Sequence, residues 1–407
     1  MSSPLQARFG RPESTLLDGE AERLTALPAP SQSTNLDILR CTAVLLVVVS
    51  HLFFGNYTMA VMGRLGVLFF FVHTCLVLMF SLDRQRARTG TRRLFTTFML
   101  RRIFRIYPLS IVAVTIVFVL EIPSYVIGTG STYLMPMDGL GLATNILLVQ
   151  DVVVSVGGPR PQIGPLWTLP IELRMYLFLP LLFILCKTLP SVRFAATLWI
   201  LSVPVAMASS KVVSVVFGNP IARFDWGWLA FPRLLEFLPA FLAGVLAYTL
   251  WSRMRHTMTP LLPPLALGVA IGGYALILET IDRGHILNLF GFAACLGVAL
   301  TLPLAREPSW TAIRTGGHLN ARYSYGIYLV HASCIWFAFD TLHDQPGAIQ
   351  WLAFLASLIA ASVILYHLVE QPMITLGTRL AARWSESSAT RTGESAPTAP
   401  ARSSGSP

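Results

Sequence analysis

Charge is scarce in this chain. Only 12% of its 407 residues are Asp, Glu, Lys or Arg, where a soluble globular domain carries roughly 25%. A freely soluble domain is thereby excluded. Cysteine is sparse too: five residues, scattered, with no pair at metal-ligand spacing, and Cys41, Cys75 and Cys186 within or beside apolar stretches. Neither a disulfide framework nor a zinc site is expected, and no metal. A Gly-x-Ser-x-Gly elbow, a Walker loop and a His-Glu-x-x-His helix are all missing, which removes three common catalytic readings. The net charge of +10 would suit a nucleic-acid partner. Most of that excess, however, is arginine in short loops beside apolar runs, the positive-inside pattern of membrane proteins. No nucleic-acid partner is expected.

What the chain has in plenty is apolar surface, with 54% hydrophobic residues and a mean hydropathy of +0.63. Apolar segments recur at 36–54, 64–82, 104–122, 166–186, 194–210, 230–250, 261–281, 285–304, 323–341 and 349–371. Each is long enough to cross a bilayer as a helix. The expected fold is therefore an all-α integral membrane protein of about ten transmembrane helices. A further stretch, 140–156, contains Asn145, Gln150 and Asp151, and reads as a re-entrant segment rather than a span. The reason is charge: the connection from Arg84 to Arg105 holds eight arginines and no acid, so it is assigned to the cytoplasm. The basic stretches Lys187–Arg193, Arg253–His256 and Arg306–Arg322 join it there only if 140–156 does not cross. Both termini are then cytoplasmic.

Three regions follow: a polar cytoplasmic segment 1–34 with no cleavable signal, a membrane domain 35–372, and a cytoplasmic, largely disordered tail 373–407 rich in Ser, Thr, Pro and Ala. The Gly- and Pro-rich stretch 123–165 is the largest external loop, and is expected to act as a lid or acceptor-binding element.

Ionisable residues inside spans carry the functional signal, since such groups are costly in lipid and face protein or water-filled paths. Arg40 and His51 share the first segment, LDILRCTAVLLVVVSHLFF. Eleven residues bring His51 to within about 20° of Arg40 on a helix, with Asp37 three residues earlier to orient the guanidinium. A polar channel into the membrane is expected, with His51 as general base for a sugar hydroxyl; a structural histidine bonded to a neighbouring helix is the alternative. In RRIFRIYP (101–108), at the expected cytoplasmic mouth, Arg102 and Arg105 are i,i+3 neighbours. They suit either a phosphate-bearing ligand or lipid headgroups. LWTLPIELRMYLFLP (166–180) puts Glu172 and Tyr176 on one face, with Pro170 tolerated in the first turn. Under the topology above Glu172 lies in the outer half of the membrane, where it orients His51, grips an acceptor sugar, or merely pairs with Arg174. SYGIYLVH (324–331) delivers His331 near mid-membrane, for chemistry or for helix contact. Glu370 in YHLVEQP (366–372) is read as pairing with the basic loops. His73 in the second span has no partner evident in the sequence.

Taken together these motifs resemble the membrane acyltransferase-3 family of bacterial multi-span O-acyltransferases, over roughly 35–372. The pattern comprises Arg40 and His51; Arg102, Arg105 and Pro108; Trp167, Thr168, Leu169, Glu172 and Tyr176, with Thr in place of the usual Ser; Ser324, Tyr325, Tyr328, Leu329 and His331; and Glu370 with Pro372. Where the family commonly has Ser-Gly in the second span, this chain has His73-Thr74, and a single module without the appended esterase-like domain is expected. The resemblance implies transfer of an acyl group, usually acetyl, from acyl-CoA to a carbohydrate hydroxyl on a cell-surface polysaccharide or a macrolide sugar. It implies a multi-pass protein of the bacterial cytoplasmic (inner) membrane. Catalysis falls to His51 and Glu172, and acyl-CoA binding to Arg40, Arg102 and Arg105. Acceptor contact or structural support falls to Asp37, Trp167, Tyr176, Tyr328 and His331. Acyl-CoA enters as co-substrate, with no permanently bound cofactor. The alternative reading is a transporter with an intramembrane relay of His51, Glu172 and His331.

Overall fold

The computed structural model describes residues 33–53, 57–127, 132–135, 137–150, 164–218, 230–254, 256–281 and 284–392. Within them helices coincide with every apolar segment. The first three are α1 (Thr34–Leu52), α2 (Tyr57–Thr89) and α3 (Leu94–Val119). A hairpin of two four-residue strands follows, β1 (Ser124–Ile127) and β2 (Thr132–Met135), with Ser124 opposite Met135. Next come α4 (Gly139–Ile146), α5 (Thr168–Thr188) and α6 (Ser191–Gly218), then α7 (Ala230–Glu236), α8 (Leu238–Trp251), α9 (Leu262–Ile281) and α10 (Gly284–Thr301). The chain closes with α11 (Thr311–Ile335), α12 (Gly347–Leu365) and α13 (Gln371–Thr392). Among the described residues seven helical stretches are long and apolar enough to cross a membrane by length and composition, the last of them running continuously from Gly347 to Trp384, and two shorter apolar helices accompany them. Leucine and isoleucine stand exposed on the outer surface, as at Leu352 and Ile359, the arrangement a hydrocarbon solvent demands.

Several boundaries differ from the sequence reading. The eight-arginine connection shrinks to residues 90–93, because α2 runs on to Thr89 and α3 already begins at Leu94. The 230–250 segment is broken at Phe237 into α7 and α8, with Pro239 opening the second helix. The tail expected to be largely disordered from 373 is helical to Thr392; residues 393–407 lie outside the described set. In the 140–156 stretch α4 has eight residues, about 12 Å long and too short to span a bilayer. Residues 151–163, including Asp151, lie outside the described residues, as do 128–131 and 136 of the stretch read as the external loop.

Small residues let the central helices touch. A Cβ on Gly66 of α2 would lie 2.7 Å from the Ala43 carbonyl of α1, and one on Gly244 of α8 would lie 2.5 Å from the Val72 carbonyl of α2. Without water to drive association, such close backbone contact is what packs membrane helices. Beside it Phe71 stacks on Phe241 with centroids 4.4 Å apart. This packing holds α2 at the centre, with α1, α3, α5 and α11 around a cavity.

Candidate functional site

The cavity has a volume of about 690 Å³. Its long wall is a stripe on α2 from Phe70 through His73, Val77 and Ser81 to Arg84. Steps of three and four residues keep these side chains on one helix face, and the stripe extends roughly 21 Å. α1 contributes Asp37 and Arg40, α3 Arg102 and Arg105, α5 Glu172 and Tyr176, and α11 His318, Arg322 and Tyr325. Five guanidinium groups therefore face two carboxylates. Those two are partly committed: Asp37 pairs with His318 at 2.5 Å, and Glu172 accepts a hydrogen bond from the Tyr176 hydroxyl. Behind the wall, Glu370 is buried and interacts electrostatically with Arg105 and Arg40. The Nε atoms of Arg40 and Arg102 are buried without a hydrogen-bond partner, as is Nδ1 of His73. Buried donors without partners are costly, and arginine forks match phosphate oxygens two at a time. The arrangement has the charge and donor geometry that would suit an anion.

The histidine pair lies further along α1. His51 Nδ1 is 2.8 Å from the Val47 carbonyl and 3.3 Å from His331 Nε2. His331 Nδ1 is 2.8 Å from the Tyr328 carbonyl and 3.2 Å from that of Ile327. Carbonyl oxygens only accept, so each Nδ1 carries its proton; the tautomers are assigned from this network. His331 Nε2 is then an acceptor that shares the single His51 Nδ1–H with the closer Val47 carbonyl. His51 Nε2 keeps a free lone pair, the form a general base requires.

Arg40 and His51 do not share one open channel. Arg40 lines the cavity and His51 does not; eleven residues separate them by about 16 Å along the helix. The contacts between cavity and histidine pass through aromatic rings. Phe70, on the cavity wall, stacks on Tyr328 at 5.9 Å and 7°. Tyr328 lies 6.1 Å from the His331 ring, and its hydroxyl is fixed by Thr168 at 2.7 Å and by the Pro165 carbonyl at 3.0 Å. Thr168, standing where the motif usually has Ser, keeps the hydroxyl this contact needs.

Other residues moved from their expected places. Asp37 takes His318, not Arg40, as its ion-pair partner. Glu172 sits among the arginines instead of orienting His51, with Tyr176 beside it. Arg102 and Arg105 are not at a helix mouth, since α3 begins at Leu94 and carries them two to three turns inward; the Arg102 guanidinium also lies 5.8 Å from the Phe98 ring centroid. Glu370 faces buried arginines and not the loops. Trp167 packs against Phe237 at 5.7 Å, outside the cavity lining. Ser81, Arg84, His318 and Arg322 were missed as site residues. The α2 stripe read from His73 would have found the first two. The other two lie in a stretch too polar to read as a helix, although α11 places His318, Arg322 and Tyr325 on one face.

Residues 33–367 match the family model described as an acyltransferase domain, Acyl_transf_3. The chain is 28% identical over 320 residues to acyltransferase MdmB of Streptomyces mycarofaciens, covering 69% of this chain and 75% of that protein. No solved structure matches.

Proposed function

The chain belongs to the acyltransferase-3 family, and from that premise we propose that it moves an acyl group, acetyl in the simplest case, from acyl-CoA to a carbohydrate hydroxyl. The acceptor is a sugar of a cell-surface polysaccharide or of an antibiotic such as a macrolide. The protein is placed as a multi-pass component of the bacterial inner membrane, with both termini and the arginine-rich helix ends in the cytoplasm. Acyl-CoA is a co-substrate, not a resident group.

One observation carries this reading: a cationic cavity and a histidine with a free Nε2 are strung along the same helix. Arg40, Arg102 and Arg105 fit the nucleotide phosphates. The separation from Arg40 to His51 is of the order an extended pantetheine arm covers; since the stacked Phe70 and Tyr328 rings stand between cavity and histidine pair, the thioester reaches His51 only when that ring contact parts. There His51 Nε2 takes the proton of the acceptor hydroxyl as its oxygen attacks the thioester carbonyl. The C–S bond breaks, the acyl ester forms, and CoA leaves as a thiolate that receives the proton from the imidazolium. His331 Nε2 accepts from His51 Nδ1–H throughout, so the positive charge that develops on His51 meets an acceptor. Glu172, held by Tyr176, balances the arginines and sets their geometry instead of serving as a second base.

Purified protein supplied with radiolabelled acetyl-CoA and candidate glycans tests the proposal. Labelled ester is expected, and His51→Ala should abolish it. Transfer that is unchanged in that variant removes His51 from the mechanism.

A further inference from the structure

The cavity's cations fall into two tiers. Arg40, Arg102 and Arg105 are enclosed and have Glu172 and Glu370 for electrostatic company. Arg84 and Arg322 line the same cavity but are exposed, so they stand where it opens to solvent. The acids near that opening are taken. Asp83 pairs with Lys187 at 3.0 Å, Asp37 with His318, and Glu307 accepts hydrogen bonds from the Ser33 hydroxyl at 2.6 Å and the Asn35 amide at 3.2 Å. Among the described residues neither Arg84 nor Arg322 belongs to an ion pair. Asp83 remains an electrostatic neighbour of Arg84, but two guanidinium forks from different helices line one mouth without an ion-pair partner, with the Ser81 hydroxyl lining the wall one turn inward from Arg84.

We propose that Arg84 and Arg322 form a separate phosphate-monoester subsite that takes the 3′-phosphate of the CoA donor. The inference rests on the acyl-CoA reading above and deepens it. Coenzyme A carries two anionic groups of different kinds: a pyrophosphate along its length and a monoester on the ribose at its adenosine end. When the thioester arm points toward His51, the pyrophosphate reaches the enclosed arginines and the adenosine end stays at the opening. The monoester, the more highly charged single phosphate, then meets the pair of exposed forks, which bind phosphate oxygens bidentately. The mouth thereby selects full CoA thioesters over donors that lack the ribose phosphate. An anionic lipid headgroup offers similar chemistry, and the test separates the two.

Full-length protein in phosphatidylcholine nanodiscs, titrated calorimetrically with CoA and with 3′-dephospho-CoA, decides the matter. CoA is expected to bind on the order of tenfold more tightly, the scale of a lost charge-assisted contact. Arg84→Gln combined with Arg322→Gln should bring CoA down to the dephospho-CoA level while leaving dephospho-CoA binding unchanged. That unchanged affinity also shows that the variant is folded. Equal affinity for the two nucleotides in the unaltered protein overturns the subsite, as does a variant that weakens both equally. A variant that loses only binding to phosphatidylglycerol-containing nanodiscs, with its CoA preference intact, assigns the pair to lipid and overturns it as well. Failure of both nucleotides to bind sinks the acyl-CoA reading itself, and the subsite falls with it.

Discussion

Nε2 of His331 stands 3.3 Å from Nδ1 of His51, an acceptor on α11 facing a donor on α1 across 280 positions of chain. Each ring is further anchored on a carbonyl of its own helix, and those carbonyls fix the tautomers with which the two rings meet. Second partners of this kind set which ring nitrogen is free for chemistry.

This contact predicts that His331 acts as a positioning residue. His331→Phe should lower kcat by roughly 10–100-fold, the cost of one lost orienting hydrogen bond with some disorder of the base. KM for acyl-CoA should stay within a factor of two or so, since Arg40, proposed to hold the donor phosphates, lies about 16 Å from His51 along α1. His331→Gln, whose amide oxygen can accept from Nδ1–H, should recover part of kcat. Steady-state kinetics on the three proteins checks this; equal loss in both variants would leave His331 a packing residue only.

The enclosed arginines should show the opposite split. Arg102→Lys keeps the charge but loses the planar fork that holds two oxygens at once. KM for acyl-CoA is expected to rise about tenfold with kcat little changed, because the contact is made equally in ground and transition states. An unchanged KM would take Arg102 out of donor binding.

Coenzyme A should stabilise the protein. At a concentration about 100 times its Kd, mass action contributes roughly 2.7 kcal/mol, visible as a higher midpoint in thermal unfolding of the detergent-solubilised protein. Pantetheine, which lacks phosphates, should produce little shift at the same concentration. Equal shifts from both would mean that the arginines are not what holds the donor.

Helix packing gives a prediction independent of function. Gly244→Ala places a Cβ 2.5 Å from the Val72 carbonyl, a backbone atom that cannot swing aside, and should destabilise the protein by about 1–3 kcal/mol. Gly268→Ala meets nothing within 4 Å and should be neutral or slightly stabilising through its higher helix propensity. Thermal unfolding of the two variants side by side makes the comparison.

Much of this architecture was legible from the chain alone, because lipid imposes a simple rule: backbone groups must be satisfied within the segment, so apolar runs become helices. The ten apolar segments, the failure of 140–156 to form a span-length helix in its described part, and the inward placement of Arg40, Arg102, Arg105 and Glu172 all follow from spacing and from the cost of charge in lipid. Helix ends were harder to read. Arginines at the ends of α2 and α3 looked like a loop, and the polar first half of α11 looked like a connection, since hydropathy cannot see a helix that faces water or a cavity.

Which helix meets which was settled only in three dimensions. Spacing along α1 put Arg40 and His51 on one face, yet α2 and α11 divide that face between an anion cavity and a histidine pair. Asp37 found His318 and Glu172 found the arginines; beside His318, a Cβ on Gly317 of α11 would lie 3.3 Å from the Asp37 Cβ of α1, so a glycine there eases the close approach of those two helices. Periodicity records the angle of a side chain about its own helix; the depth and partner it reaches depend on contacts between segments hundreds of residues apart.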